Sequence, residues 1–142
     1  MRVLRELEMP ARLENLDRFK RVATECAAQQ GFAPARVTEI EVAVEEVVAN
    51  IVMHGYPNEA GPIRLACGTD ADAGFVLEFV DQGVPFDVDT APAPNLDGDL
   101  SERPVGGLGI FLLKNLMDDV RYRREGTRNI LTLTASGPGR GK

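Results

Sequence analysis

A chain of 142 residues holds one domain with a real hydrophobic core and is too short for two. Hydrophobic residues at 44% and charged residues at 27% describe an ordinary globular protein, and a net charge of -6 without a basic stripe excludes general DNA or RNA binding. No apolar run reaches the roughly 18–20 residues that span a bilayer, and Met1 to Pro10 lacks the apolar centre of a signal peptide, so the expected setting is cytoplasmic.

Val3 to Met9 alternates loosely between apolar and charged residues, which predicts a first strand at a sheet edge. From Leu13 the apolar positions Leu16, Phe19, Ala23, Cys26 and Ala27 take helical spacing, and Gly31 and Pro34 stop that helix. Arg18, Lys20 and Arg21 give it a small basic face, suited either to solvent or to an acidic partner. A second helix is predicted from about Ala35 to His54 on the stripe Ile40, Val44, Val47, Val48 and Ile51. Its start is set either by a Thr38–Glu41 capping box or by Pro34. Strands follow at Ile63 to Cys67 and Phe75 to Val80. A polar, proline-rich stretch from Asp87 to Pro104 then interrupts all periodicity. Leu108, Phe111, Leu112 and Leu116 mark a third helix. Val120 to Arg124 and Asn129 to Thr134 close the domain as a hairpin through Glu125-Gly126-Thr127. Residues 1–135 form the expected domain, with 136–142 as a flexible tail. The order of elements gives an α/β fold, an α+β two-layer sandwich, with a mixed, mostly antiparallel sheet and three helices on one face. Cys26 and Cys67 form no metal-ligand cluster and read as buried, reduced thiols.

Three short motifs carry chemistry. Glu46 and Asn50 lie one helical turn apart, outside the apolar stripe. A carboxamide oxygen suits Mg²⁺, and a carboxylate beside it can orient or deprotonate a hydroxyl; an ordinary solvated helix face has the same spacing. Asp81-Gln82-Gly83 follows an apolar strand. It suits either acceptance from an exocyclic amine, with Gly83 admitting a planar ring, or a plain tight turn. Gly106-Gly107-Leu108-Gly109 opens the third helix, where exposed backbone N–H groups suit phosphates or a flexible entry into the helix. The lone histidine, His54, ends the second helix and suits its negative dipole end better than a catalytic role.

In this order, Glu46-Val47-Val48-Ala49-Asn50, Asp81-Gln82-Gly83 and Gly106-Gly107-Leu108-Gly109 resemble the N, G1 and G2 boxes of GHKL-type ATPases and kinases. Glu45 to Tyr56 and Gly107 to Tyr122 look most like the stand-alone anti-sigma factor serine-protein kinases. That resemblance implies a GHKL-type ATP-binding fold with a lid at about 86–106 and ATP and Mg²⁺ as cofactors. It implies Asn50 as the metal ligand, Glu46 as general base and Asp81 with Gly83 at the adenine. Gly106, Gly107, Leu108 and Gly109 would hold the phosphates, and Thr127 would supply a hydroxyl near the base. The charge pattern itself makes Arg103 the one base in an otherwise acidic lid, suited either to assist the γ-phosphate or to pair with Glu102 at the surface. The implied activity is a serine/threonine protein kinase that phosphorylates a small anti-sigma factor antagonist, binds a sigma factor and forms a homodimer. Val84-Pro85-Phe86-Asp87 stands where many relatives have a further glycine, and the lid carries Asp87, Asp89, Asp97, Asp99 and Glu102. These departures bear on phosphotransfer and not on ATP binding; the alternative is a nucleotide-gated protein-binding regulator without kinase activity.

Overall fold

The computed structural model describes residues 1–57, 59–85 and 107–137, with the backbone alone at 107–111. The expected lid, with Arg103 and Gly106, and residues 138–142 of the expected tail lie outside the described residues.

The strands are β1 (Arg2–Pro10), β2 (Pro62–Thr69), β3 (Phe75–Asp81), β4 (Asp119–Glu125) and β5 (Arg128–Ala135). They form one sheet in the order β1-β2-β3-β5-β4, so β1 is an edge, as its loose alternation predicts. All four pairings are antiparallel, where element order alone predicts a mixed sheet. The reason is topological. The strands that pair with their sequence neighbour turn back on it, and β5 fills the place between β3 and β4, so no strand lies parallel to the one beside it.

Period-two alternation sends one set of side chains to the core face. Leu65 stands opposite Phe79, which stands opposite Leu131; in the next layer Cys67, Leu77 and Leu133 align. Helices α1 (Leu16–Gln29), α2 (Pro34–Asn50) and α3 (Gly107–Leu116) accompany the sheet. Phe19, Ala23, Cys26 and Ala27 of α1 and Ile40, Ala43, Val44, Val47 and Val48 of α2 join the core with the inward strand residues. Burying a side chain such as Phe19 contributes roughly 2–3 kcal/mol. Phe32, in the α1–α2 link, meets Phe75 edge-on with ring centroids 5.7 Å apart.

The ends of α1 and α2 follow local rules. Gly31 takes φ 96 just past α1, a conformation a side chain would oppose. Pro34 sits in the first turn of α2, where its missing N–H costs nothing. Thr38 is interior to the helix and donates to the Pro34 carbonyl, so the proline, not a capping box, sets the start. The α-helix ends at Asn50, and residues Ile51–Gly55 continue as a π-helical segment. Arg36 holds the first turns of α2 to the last turn of α3 by pairing with Asp118 at 3.1 Å and donating to the Leu116 carbonyl. Asp118 also accepts from the Ser136 backbone N–H, and Gly137 is buried, so the chain expected to be a loose tail from 136 is tied down through 137. Among the described residues, no helix is long and apolar enough to cross a membrane.

Candidate functional site

Hydrophobic registration places the polar residues. The stripe that buries Val44, Val47 and Val48 leaves Glu46 and Asn50 half-buried at its margin. Burial, then the neighbouring Glu45, pushes the Glu46 carboxyl above its ordinary range. Asn50 presents the sharper feature: its Oδ1 is buried and has no hydrogen-bond partner among the described residues. A carbonyl oxygen withheld from water and left unmatched costs about 1–3 kcal/mol, a cost a bound cation would offset. Among the described residues no three His, Cys, Asp or Glu side chains cluster around a metal position. Mg²⁺ suits such a site, since it takes one or two protein oxygens and completes its shell with phosphates and water.

Asp81 ends β3 and is only 6% exposed. Its Oδ1 accepts from the Gly83 backbone N–H at 2.8 Å and from the Asn129 side-chain amide at 2.9 Å. The turn after it is locked to the end of α2: Val84 N–H donates to the Gly55 carbonyl at 2.8 Å. A Cβ added at Gly83 would lie 2.2 Å from that same carbonyl oxygen, so backbone contact with Gly55 is what requires a glycine here. Tyr56 fastens the next layer; its hydroxyl donates to the Pro62 carbonyl and accepts from Gln82 N–H, both at 2.7 Å. A Cβ at Gly55 would stand 4.0 Å from Asp81 Oδ1. The π-helical extension of α2 and the turn after β3 therefore form one wall, with Asn50 and Asp81 immediately before its two parts.

Gly107 begins α3, and Leu108 and Gly109 fall in its first turn. The helix packs along α2 from the Arg36–Leu116 anchor, so its glycine-led N-terminus lies away from that end. Thr127 is exposed in the β4–β5 turn. The residue opposite Asp81 across the sheet is Asn129, two positions further along. The hairpin turns so that Glu125 pairs with Arg128, which leaves Thr127 beyond the paired residues and Asn129 facing the core. Sequence reasoning missed Asn129 together with Tyr122 and Arg124, which hold it. Its signal was a polar residue two before Leu131 on a core-facing alternation.

His54 is exposed at the end of the π-helical segment. Lys20, part of the basic face read on α1, binds Glu45 of α2 at 2.9 Å, which leaves Arg18 and Arg21 as its exposed charges.

The histidine kinase-like ATPase domain family matches residues 9–135. Serine-protein kinases RsbW from Bacillus cereus (strain B4264) and Bacillus mycoides (strain KBAB4) are each 26% identical over 130 residues, covering 89% of this chain and 81% of theirs. Among solved structures, the RsbU and RsbW domains of Rv1364c from Mycobacterium tuberculosis align with TM-score 0.66 at 19% identity. The alignment covers 94% of this chain and 33% of that one, so this chain spans a third of that protein's length. The SiaB–SiaC complex from Pseudomonas aeruginosa gives TM-score 0.62 at 13% identity over 94% of this chain and 90% of that one. These distant likenesses speak for the fold.

Proposed function

Because this chain belongs to the histidine kinase-like ATPase domain family, we propose that it is an ATP- and Mg²⁺-dependent serine/threonine protein kinase acting as an anti-sigma factor. Its substrate is a hydroxyl on a small antagonist protein in a partner-switching circuit. The observation that carries the reading is the buried Oδ1 of Asn50, unpartnered among the described residues and one turn from a carboxylate whose proton affinity burial raises. The RsbW relatives are named serine-protein kinases, and one structural neighbour comes from a two-protein complex, which supports a protein substrate. A cytoplasmic setting and a homodimer belong to the same reading.

Asn50 would hold Mg²⁺, which when bound neutralises phosphate charge as it develops. Asp81 would accept from the amine of the base, with Gly83 beside it. Gly107, Leu108 and Gly109 at the start of α3, with Gly106 before them in sequence, would present N–H groups to the phosphates, and Arg103 would assist there. Thr127, exposed in the β4–β5 turn, would supply a hydroxyl near the base, while Asn129 stands directly opposite Asp81. Glu46 would take the proton of the attacking hydroxyl. Its raised proton affinity makes it a better base near neutral pH than a fully solvated carboxylate.

ATP titration with and without Mg²⁺ tests the site. Asn50→Ala should abolish the Mg²⁺ dependence, and Asp81→Ala should abolish preference for adenine. Unchanged binding in both would overturn the assignment. Glu46→Gln should slow label transfer to an antagonist by about 10²–10⁴-fold while ATP still binds. Capture of that protein with no transfer by the wild type would leave a nucleotide-gated binding module instead.

A further inference from the structure

Asn129 is buried to the same degree as Asp81 and stands directly opposite it on β5. Every hydrogen-bonding position of its side chain is used. Oδ1 accepts from the Tyr122 hydroxyl at 2.6 Å and from Arg124 Nη1 at 3.0 Å. Nδ2 donates to Asp81 Oδ1 at 2.9 Å and to the Val84 carbonyl at 2.8 Å. A guanidinium can only donate, so the carboxamide has one possible orientation, with its N–H₂ toward Asp81. The same Arg124 nitrogen donates to the Gly83 carbonyl at 2.8 Å, which ties the edge strand β4 to the turn after β3.

Asn129 thus has no capacity left for a ligand, and Asp81 has one oxygen committed twice. Oδ1 of Asp81 takes both Gly83 N–H and Asn129. Its other oxygen, Oδ2, has no hydrogen-bond partner among the described residues. We propose that Asn129 is the positioning residue of the base-reading site: held by Tyr122 and Arg124, it fixes the Asp81 carboxylate so that Oδ2 alone is presented to the amino group of a purine. This rests on the nucleotide reading above and adds to it the residue that makes the site selective. A purine with an amine at that position donates to Oδ2. One with a carbonyl there sets an acceptor against Oδ2, an acceptor-only oxygen that the bonds to Oδ1 hold in place.

Among the described residues, the charged and titratable groups facing this pair are Asp81 on β3, Tyr122 and Arg124 on β4, and Tyr56 beyond α2. Asn129→Asp sets a second carboxylate against Asp81, and two adjacent carboxylates share one proton until the pH rises far enough to ionise both. At about pH 8 the variant should bind ATP about tenfold or more weakly than the wild type, the loss expected when a hydrogen bond to a charged group is replaced by repulsion. At about pH 5.5 the shared proton restores a donor, and affinity should recover toward that of the wild type measured at the same pH. Asn129→Leu, similar in volume and unable to hydrogen-bond, should lower the preference for ATP over GTP by about tenfold while the Mg²⁺ dependence persists. Thermal melts at each pH establish that both variants are folded. Should Asn129→Asp fail to fold, the ATP-to-GTP ratio of Asn129→Leu and Tyr122→Phe decides. The proposal falls if Asn129→Asp shows no pH-dependent recovery, or if Asn129→Leu keeps the wild-type nucleotide preference. A wild type that binds no ATP would remove the nucleotide reading as well. A wild type that binds ATP beside unaffected variants would remove this inference alone.

Discussion

Gly83→Ala tests the wall that joins the end of α2 to the end of β3. Its added Cβ would lie 2.2 Å from the Gly55 carbonyl oxygen, 2.7 Å from its carbon and 2.9 Å from its Cα, all backbone atoms with no rotamer to yield. Accommodation requires the two segments to separate by about an ångström, roughly the gap between these distances and ordinary van der Waals contact. That movement stretches the 2.8 Å bond from Val84 N–H to the same carbonyl. Overpacking of this kind costs about 1–3 kcal/mol. With roughly 4 °C lost per kcal/mol in a domain of this size, the thermal midpoint should fall by roughly 4–12 °C. The sign carries the test. Were the space beside Gly83 open, alanine would instead stabilise by about 0.4–1 kcal/mol through the unfolded chain. A scanning-calorimetry midpoint equal to or above wild type would refute the contact. A lowered midpoint should come with weaker ATP binding, since Gly55 lies against Asp81.

Glu46→Gln should change how stability depends on pH. The folded carboxyl titrates above its ordinary 4.5, from burial first and Glu45 second. The fold therefore favours the protonated form, and the contribution is fully present below the unfolded pKa and lost as pH rises through the folded one. Urea midpoints should accordingly show the variant gaining on wild type as pH rises from about 4 and levelling near neutrality; parallel profiles would contradict the burial of Glu46. Cys26 and Cys67 are buried and free, and burial pushes the Cys67 thiol up to about 12 and raises Cys26 as well. Native protein at about pH 8 should resist a thiol reagent and take up two equivalents only after denaturation; prompt native labelling would show a more open core than the structure has.

Local rules made the elements legible along the chain. The heptad-like stripes of α1 and α2, the proline start of α2, the glycine stop of α1 and the alternation of Leu131 and Leu133 are each set within a few residues, so spacing alone finds them. Glu46, Asn50 and Asp81 were legible for the same reason: each breaks an apolar pattern at its edge, and their order along the chain matches a known set of boxes. Three decisions were tertiary. Strand direction depended on which strands became neighbours, which no single segment encodes. The need for glycine at 83 arises from the carbonyl of Gly55, 28 positions earlier, and not from the turn's own dihedrals. The partner of Asp81 was settled by cross-strand register. The hairpin carries Asn129 opposite Asp81, 48 residues away, and leaves the more conspicuous Thr127 exposed in the turn. Sequence spacing sets which face a side chain takes within its own element; pairing register between distant strands sets whom that side chain meets, and only the assembled sheet contains it.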